Sequence, residues 1–526
     1  MSVPSSFNKI PVSSGKKLAA AALIVIAATA LSRVFGFVRE FVAAAYFGAG
    51  AEKSAFDVAF LVPSTFQVLA AQAALSAALI PVFAGLLEKE SRQEAWLVAR
   101  TIFTLVLLVL GATVVIFMIF APWIMQLFAP GYRNDPEMMA DIVYMSRLLF
   151  PTVLLLAVTG VVISLLNSFE HFTLPAVAPV FWNLTIVLAM VLFRGRLGID
   201  SLAWGVLLGT MLQLAIQLPW LKGRGGRLGF SLALKNPHVR KVGALMLPVS
   251  LSLGLINFNG VVDVQFASFL GEGGVAAMNY AFRLYQLPEA LFAIAVGTVL
   301  FPTLSRLAAA GNRDRFRSTM SVGLRVIFFV MIPISAFILV LAEPLVRLAY
   351  ERGQFGAGDT DLVAWALFFF AFGSAFCGAG ALLTRGLFSL KRPWMPTAVA
   401  LANIGTNAIL NWVFIQFYGL GGIPLSTSVV SFLTFFVLLW LMRRELGRMD
   451  GRAIARSAVI VSLLSVVTAA AAYLSWYLLD QRLGRDLLDQ IISLGGSFFV
   501  AVAVFLTLAL LVRMPEANLV RTLRRG

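Results

Sequence analysis

The chain has 526 residues, of which 60% are hydrophobic and only 13% are charged, and its formal net charge is +16. A soluble domain carries roughly a quarter of charged residues, so this composition excludes a soluble globular fold and requires an outer surface that faces lipid. Because irregular backbone cannot face lipid, we predict an all-α polytopic membrane protein. The positive charge lies in short loops between apolar segments, without an aromatic–basic stacking platform, so we expect no nucleic-acid partner.

Fourteen apolar stretches, each long enough to cross the hydrocarbon core as a helix, follow one another along the chain. The first begins after Lys16 and Lys17 and resembles a signal peptide, but its apolar character continues to Phe47. We therefore predict an uncleaved first helix. The predicted spans are 18–47, 55–87, 95–128, 138–168, 172–193, 198–221, 242–270, 275–310, 317–342, 357–390, 394–418, 422–442, 455–479 and 488–512.

The distribution of basic residues predicts the orientation of these spans. With a cytoplasmic N-terminus, 29 of the 41 lysines and arginines fall at the inside loops and tails, and 8 fall in the outside loops. Cytoplasmic loops carry the excess of basic residues, and an even number of spans returns the chain to its starting side. We predict that both termini are cytoplasmic.

The two halves of the chain repeat each other at a distance of 220 or 221 residues. The matched pairs include Gly160 and Gly380, Pro175 and Pro396, and Asn183 and Asn403. Six spans per repeat is an even number, so the halves share one orientation and are expected to be related by an axis along the membrane normal, with a cavity between them. We predict an N-lobe at 1–230, a C-lobe at 231–450 and a separate C-terminal helix pair at 451–526.

Four arginines stand inside predicted spans. Arg147 lies near a span end and could extend to the membrane interface, which leaves Arg33, Arg39 and Arg283 as site candidates. A charge at a helix centre costs about 2.5–3.5 kcal/mol on insertion scales, so such residues usually face a cavity. Glu40 lies within about 20° of Arg33 on the first helix. Since a guanidinium binds phosphate oxygens in a bidentate manner and keeps its proton, we predict that the arginines bind an anionic substrate. The alternative is ion pairing between helices, for example with Asp57.

A second polar group could hold a small cation such as sodium. Asp263 lies in the seventh span, and further oxygen ligands are Asn403, Asn407 and Thr427 in the eleventh and twelfth. Ordinary hydrogen bonding between helices explains the amides and hydroxyl equally well. With one cysteine and two histidines in the chain, we expect no transition-metal chemistry, no catalytic residues and no other cofactor.

Two sequence stretches point to a known family. The first runs from Ser32 through Arg33, Gly36 and Arg39 to Glu40, and is followed by 47–50. The second contains Arg283 in 280–284 and continues to 297–305. With these motifs and its fourteen spans, the chain resembles the lipid II flippase family called MurJ or MviN, within the MOP exporter superfamily, over essentially its whole length.

The resemblance implies a fold, a function and a site. It implies two six-helix lobes in the bacterial inner membrane and transport of the undecaprenyl-diphosphate-linked peptidoglycan precursor from the cytoplasmic to the periplasmic leaflet by alternating access. The groove by the last two helices would accommodate the lipid tail. Family cavity arginines match Arg33, Arg39 and Arg283, with Glu40 as acidic partner. The family sodium site matches Asp263, Asn403, Asn407 and Thr427.

The chain departs from the family pattern in the second span and at the sodium site. Gln67 stands where many members have a basic residue and Gln72 where they have an acid, while Ser54 replaces an acid near the start of the span. Asp57, one turn after Ser54, lies on a similar face, and we include Asp57 and Gln67 among the candidate substrate contacts. Asn407 stands where the family pattern has a second acid.

We therefore expect a monomeric lipid II flippase, without enzymatic activity, whose partners are lipid II and membrane lipids and whose coupling ion could be sodium. Three alternatives remain open at this point. The chain could export another polyprenyl-linked saccharide or small drugs on the same fold. It could be a membrane glycosyl- or acyltransferase, although its loops are short and lack the polar residues that catalysis needs. It could also be a scaffold, if the arginines are fully ion-paired.

Overall fold

The computed structural model describes the backbone of residues 12–69, 72–89, 91–447 and 449–517. Within these residues, side chains are described except at 12–23, 26, 67–69, 72–74, 77, 247–257 and 294. The described chain contains eighteen α-helices and no strand, which confirms the all-α prediction. In chain order the helices are α1 (Val12–Phe47), α2 (Ala51–Leu69), α3 (Gln72–Glu88), α4 (Arg92–Phe128), α5 (Pro136–Leu149), α6 (Pro151–Ser168), α7 (Thr173–Leu197), α8 (Asp200–Ala215), α9 (Pro237–Ala267), α10 (Gly274–Pro288), α11 (Ile294–Ala309), α12 (Arg313–Val340), α13 (Ala342–Tyr350), α14 (Ala357–Ser389), α15 (Trp394–Tyr418), α16 (Gly422–Leu446), α17 (Gly451–Leu483) and α18 (Leu487–Leu511).

The second, fourth and eighth predicted spans are each built from two helices. Pro151 begins α6 and Pro288 ends α10, because proline lacks the N–H that would continue the hydrogen-bond ladder. In the eighth span, Glu289–Ala293 form a single π-helical turn between α10 and α11. The short helix α13, between the ninth and tenth spans, was not predicted from the sequence.

Ten helical runs among the described residues are long and apolar enough to cross a membrane. They cover eleven of the fourteen predicted spans, since the run Trp394–Leu446 contains both the eleventh and the twelfth. The first, second and seventh predicted spans fall on helices that include positions outside the described side chains. The chain is a multi-pass membrane protein, and the count of fourteen spans stays a prediction.

The helices α7 and α15 show the internal repeat in three dimensions. Each has 25 residues, and they begin 221 residues apart. Each is followed by a glycine with φ of 54°, Gly198 after α7 and Gly419 after α15, a left-handed conformation that favours glycine. In this common register, Asn183 of α7 corresponds to Ile404 of α15. The match of Asn183 with Asn403 was therefore wrong by one residue, which is 100° around a helix.

By its internal contacts the chain divides into two units. Unit 1 comprises Met1–Tyr46, Val58–Phe128 and Asp135–Asn257, and unit 2 comprises Phe47–Asp57, Ala129–Asn134 and Phe258–Gly526. The core of unit 1 includes Trp96, whose ring packs edge-on against Phe83 with centroids 5.9 Å apart. In unit 2 the last two helices pack on α12, where Phe329 meets Phe505 at 5.0 Å. The lobe boundaries at 230 and 450 remain a prediction.

Candidate functional site

Arg39 lies on α1, and its guanidinium is held from three sides within unit 1. Nη2 donates to Glu40 Oε1 at 2.7 Å, and Nη1 donates to Asn183 Oδ1 at 3.2 Å. The guanidinium also lies over the indole ring of Trp182, with Cζ 5.0 Å from the ring centroid. The side chains of Arg39 and Glu40 keep 16% and 14% of their surface exposed. The protein therefore orients this cation and leaves part of it accessible.

The two partners on α7 are themselves held in place. The amide Nδ2 of Asn183 donates to the backbone carbonyls of Ser32 at 3.3 Å and Pro179 at 3.1 Å. These bonds decide the orientation of the amide, so its oxygen must point at Arg39. The indole Nε1 of Trp182 donates to Thr210 Oγ1 on α8 at 3.1 Å. Three helices of unit 1 thus position one guanidinium before any ligand arrives.

The guanidinium of Arg39 retains capacity for a ligand. Arginine has five N–H donors, and the bonds to Glu40 and Asn183 use two of them. Glu40 also offsets the charge of Arg39. Because these are neighbouring residues, the pair lies within α1 and does not link helices. The predicted ion pair between an arginine of α1 and Asp57 is not what the structure shows for Arg39.

The other two predicted arginines lie on different units. Arg33, on α1, is exposed and makes no hydrogen bond or ion pair with the residues that the structure describes. Arg33 therefore supplies a positive charge in unit 1 beyond that of the Arg39–Glu40 pair. Arg283, on α10 of unit 2, is also exposed. The convergence of Arg283 with Arg33 and Arg39 stays a prediction.

Asp57 lies in unit 2, near the start of α2. Lys53 Nζ donates to Asp57 Oδ1 at 2.6 Å, and the same ammonium lies 4.8 Å from the ring centroid of Tyr280. Lys53 is almost fully buried, so Asp57 satisfies a buried cation of its own helix. The side chain of Gln67 lies outside the described residues, and its role as a substrate contact stays a prediction.

Asp263 is the centre of a polar cluster in unit 2. Asn411 Nδ2 donates to Asp263 Oδ1 at 2.9 Å, and Thr427 Oγ1 donates to Asp263 Oδ2 at 3.3 Å. Asn411 Nδ2 also donates to Asn407 Oδ1 at 2.8 Å. The helices α9, α15 and α16 therefore bring together three of the four residues predicted for a cation site.

The fourth residue is different from the one predicted. Asn403 donates to Thr434 Oγ1 at 2.9 Å, whereas Asn411, one turn after Asn407, binds Asp263 directly. Both Asn407 and Asn411 follow the i, i+4 spacing that places side chains on one helix face. This spacing could have identified Asn411 from the sequence. Trp182 could have been identified because it directly precedes Asn183 on α7.

The donor set of this cluster fits a small hard cation. Asn411 Oδ1 is buried and has no hydrogen-bond partner among the described residues. Together with a carboxylate, a second amide oxygen and a hydroxyl, it offers the oxygen ligands that such cations bind. The described residues contain no group of three or more His, Cys, Asp and Glu side chains, so most ligands here would be neutral oxygens.

Comparison with known proteins identifies the family of the chain. Residues 43–485, more than half of the chain, match the family model described as lipid II flippase MurJ. A probable lipid II flippase MurJ from Rhizobium meliloti (strain 1021) is 31% identical over 514 residues, covering 95% of each chain. A solved structure titled as lipid II flippase MurJ in an inward closed conformation has a TM-score of 0.79 at 24% identity, over 93% of this chain and 99% of that one.

A more distant likeness places the fold in a larger group. The structure of a multidrug resistance MATE family transporter of the MOP superfamily, in an inward-facing conformation, matches with a TM-score of 0.66 at 15% identity. It covers 83% of this chain and 99% of that one. The helical architecture is thus shared with that transporter. The extent of the family match and the identity to the Rhizobium relative establish the narrower assignment: this chain belongs to the lipid II flippase MurJ family.

Proposed function

We propose that this protein carries lipid II across the membrane, from the cytoplasmic to the periplasmic leaflet, by alternating access. The observation that carries the proposal is the guanidinium of Arg39, which Glu40, Asn183 and Trp182 hold in a defined orientation. A cation within the predicted first span is costly, and a diphosphate headgroup is the ligand that a preoriented guanidinium fork recognises.

The residues of unit 1 have different roles in the proposed binding of the substrate. Glu40 and Asn183 orient Arg39, so that little side-chain entropy is lost when a phosphate oxygen binds. Arg33 adds charge, because Glu40 already offsets that of Arg39. Arg283 would contribute from unit 2. The saccharide–peptide headgroup would cross with the diphosphate, while the apolar chain stays in lipid. Binding and conformational change suffice for this task, and no covalent step or catalytic residue is needed.

Sodium is the coupling ion that the polar cluster of unit 2 supports. Asp263, Asn407, Asn411 and Thr427 would hold it through oxygen atoms. The ion, when bound, would supply a positive charge beside the carboxylate of Asp263. Asn411 would then turn its hydrogen-bond donors away from Asp263, since an amide nitrogen cannot bind a cation.

The proposed location is the bacterial inner membrane, with both termini in the cytoplasm, which is the orientation that the excess of basic residues on one side favours. We also propose that the protein acts as a monomer. Both halves of the repeat lie in one chain, and the transport cycle therefore needs no second copy.

Lipid binding to the purified protein tests the proposed substrate. Native mass spectrometry would compare lipid II with undecaprenyl phosphate, which has the same chain but one phosphate and no saccharide. We expect preferential binding of lipid II, and loss of that preference in Arg39→Ala. Arg194→Ala is the matched control, since Arg194 is also a unit 1 arginine stacked on an aromatic ring, that of Tyr46 at 3.9 Å. Equal binding of both lipids to the unaltered protein would contradict the proposal.

A further inference from the structure

A cationic cavity lies in unit 2, where α17 begins and α18 ends. Its volume is about 490 Å³, within the range of roughly 300–1,000 Å³ typical of small-molecule sites. Four arginines and one carboxylate line it, namely Arg325, Arg452, Arg456, Arg513 and Glu516. None of these residues belongs to the site around Arg39 or to the cluster around Asp263.

The cavity lies at a membrane boundary. On α12, Arg325 is the last charged residue before the continuous apolar run 326–342. Arg452 and Arg456 stand in the first turns of α17, one turn apart, and Arg513 comes two residues after the end of α18. The polar parts of three membrane helices therefore meet at one level. The positive-inside rule predicts that this is the cytoplasmic side.

The carboxylate of Glu516 forms part of the cavity wall. Glu516 is buried, with 4% of its side chain exposed, and its Oε1 lies 3.1 Å from Arg325 Nη1 and accepts a hydrogen bond from Ser457 at 3.2 Å. Arg325 is thereby neutralised and held in place. Arg452, Arg456 and Arg513 make no hydrogen bond or ion pair with the part of the chain that the structure describes. The cavity therefore keeps an excess of three positive charges.

The backbone at Arg513 supports a ligand role. Met514 N donates to Ala509 O at 2.9 Å and Arg513 N to Leu510 O at 3.0 Å, the bonding pattern that ends a helix with a left-handed residue. Arg513 occupies that left-handed position, with φ of 56°. Glycine is the usual residue there, and a side chain that is kept in a strained backbone conformation often serves a binding site.

We propose that this cavity binds the phosphate of an anionic phospholipid headgroup from the adjacent leaflet. Guanidinium groups bind phosphate oxygens through paired N–H donors, and basic pockets between membrane helices are recognised headgroup sites. Ile460 and Val512 add apolar surface on the walls of the cavity, where the glycerol backbone of a lipid would lie. This inference does not depend on the proposed transport of lipid II.

Native mass spectrometry of the purified full chain, with phosphatidylglycerol and phosphatidylcholine of identical acyl chains, tests the site. The unaltered protein should bind phosphatidylglycerol preferentially. Arg452→Gln combined with Arg456→Gln should lower that preference roughly 10- to 30-fold, since each basic residue near an anionic lipid contributes about a factor of five. The control is Arg313→Gln combined with Arg315→Gln. It removes the same charge from the exposed start of α12, about 15–18 Å from Arg325 along the helix, and should leave the preference unchanged.

Two further arms separate a lipid site from other roles. Glu516→Gln should strengthen the preference for phosphatidylglycerol, because the cavity gains positive charge while the amide still accepts from Ser457. A purely structural cluster would show no such gain. The proposal is overturned if both double variants lose the preference equally, or if neither does. It is also overturned if inorganic phosphate, with phosphatidylcholine present, raises the melting temperature as much as phosphatidylglycerol does, because the ligand would then be a free anion.

Discussion

The polar clusters of the two units use corresponding helices for opposite charges. In unit 1, α1, α7 and α8 hold the cation of Arg39 beside Asn183 and Trp182. In unit 2, α9, α15 and α16 hold the anion of Asp263 beside Asn411 and Thr427. One framework of three helices thus holds a cationic side chain in one unit and an anionic side chain in the other.

The common register of α7 and α15 shows at how few sequence positions these two helices must differ to build the two clusters. At an offset of 221 residues, Asn407 corresponds to Ile186 and Asn411 to Met190. All four side chains are buried. These positions therefore differ in side-chain chemistry and not in burial. Two amides of unit 2 replace two apolar side chains of unit 1 and provide the partners of Asp263.

The clusters also differ in access. Arg39 keeps part of its surface exposed, as a contact for a large headgroup must. Asn407 and Asn411 are 1% and 0% exposed, whereas Asp263 is only partly buried. The repeat therefore gives the two clusters corresponding positions, while their side chains differ in size, charge and burial.

The largest expected effect comes from breaking the unit 1 cluster. Arg39→Ala should abolish complementation of a strain depleted of its flippase, because the oriented guanidinium is lost, while membrane insertion continues. Arg39→Lys, which keeps the charge but not the fork, should restore only part of the growth. Growth is scored against immunoblots of membrane fractions, with Arg194→Ala as an active control. Full growth of Arg39→Ala would show that this cluster does not bind the substrate.

Giving unit 2 the apolar residues of unit 1 should have the next largest effect. Asn407→Ile combined with Asn411→Met leaves the carboxylate of Asp263 without its amide partners, and the loss of hydrogen bonds to a charged group costs about 1.5–3 kcal/mol. Adding Asp263→Leu should restore most of the stability, since apolar side chains of similar volume often replace buried charges without loss. Thermal unfolding in detergent measures both steps.

The same variants test the coupling ion. Replacing choline with sodium should raise the melting temperature of the unaltered protein, by an amount that grows with sodium concentration as for any ligand of the folded state. The variant that carries all three substitutions should not respond to sodium. A melting temperature of the unaltered protein that is insensitive to sodium would remove the cation from the proposal and leave a purely structural cluster.

A smaller effect is expected from the residue that orients Arg39. Asn183→Leu removes the amide oxygen that accepts from Nη1 but retains Glu40 and Trp182. We expect lipid II binding to weaken about tenfold, the loss of roughly one charge-assisted hydrogen bond. Ile404→Ala, at the corresponding position of α15, is the control and should leave lipid II binding unchanged. Binding as tight as that of the unaltered protein would limit the role of Asn183 to packing.

The last effect is absent at neutral pH, appears only at alkaline pH and lies in unit 2 outside the cluster. Burial raises the pKa of Tyr132, between α4 and α5, from 10.0 to about 12, although a hydrogen bond with Ser54 lowers it. The folded state therefore prefers the neutral phenol. This contribution, on the order of 2–3 kcal/mol, is complete below pH 10 and is lost as the pH rises to 12. Tyr132→Phe should lose less stability over that window in thermal unfolding than the unaltered protein, and an identical loss would argue against the shift.

Composition and residue spacing already determined the class of this protein and much of its chemistry. A chain with 13% charged residues and repeated long apolar stretches folds as membrane helices, because a helix satisfies its own backbone hydrogen bonds in lipid and about 20 apolar residues span it. Arginines within those helices must have a polar environment, which selected Arg33, Arg39 and Arg283. Similar reasoning selected Asp263, Asn403, Asn407 and Thr427, of which Asn403 binds Thr434 instead.

Only the tertiary structure determined which side chains contact Arg39 and Asp263. Helical periodicity says which residues share a face, but it does not say which helix that face meets. A shift of one residue turns a side chain by 100°. Packing of α7 on α1 therefore determined that Asn183 and Trp182 orient Arg39. Packing of α15 on α9 placed Asn411, rather than Asn403, beside Asp263. These choices depend on contacts between residues far apart in the chain, which local sequence patterns do not encode.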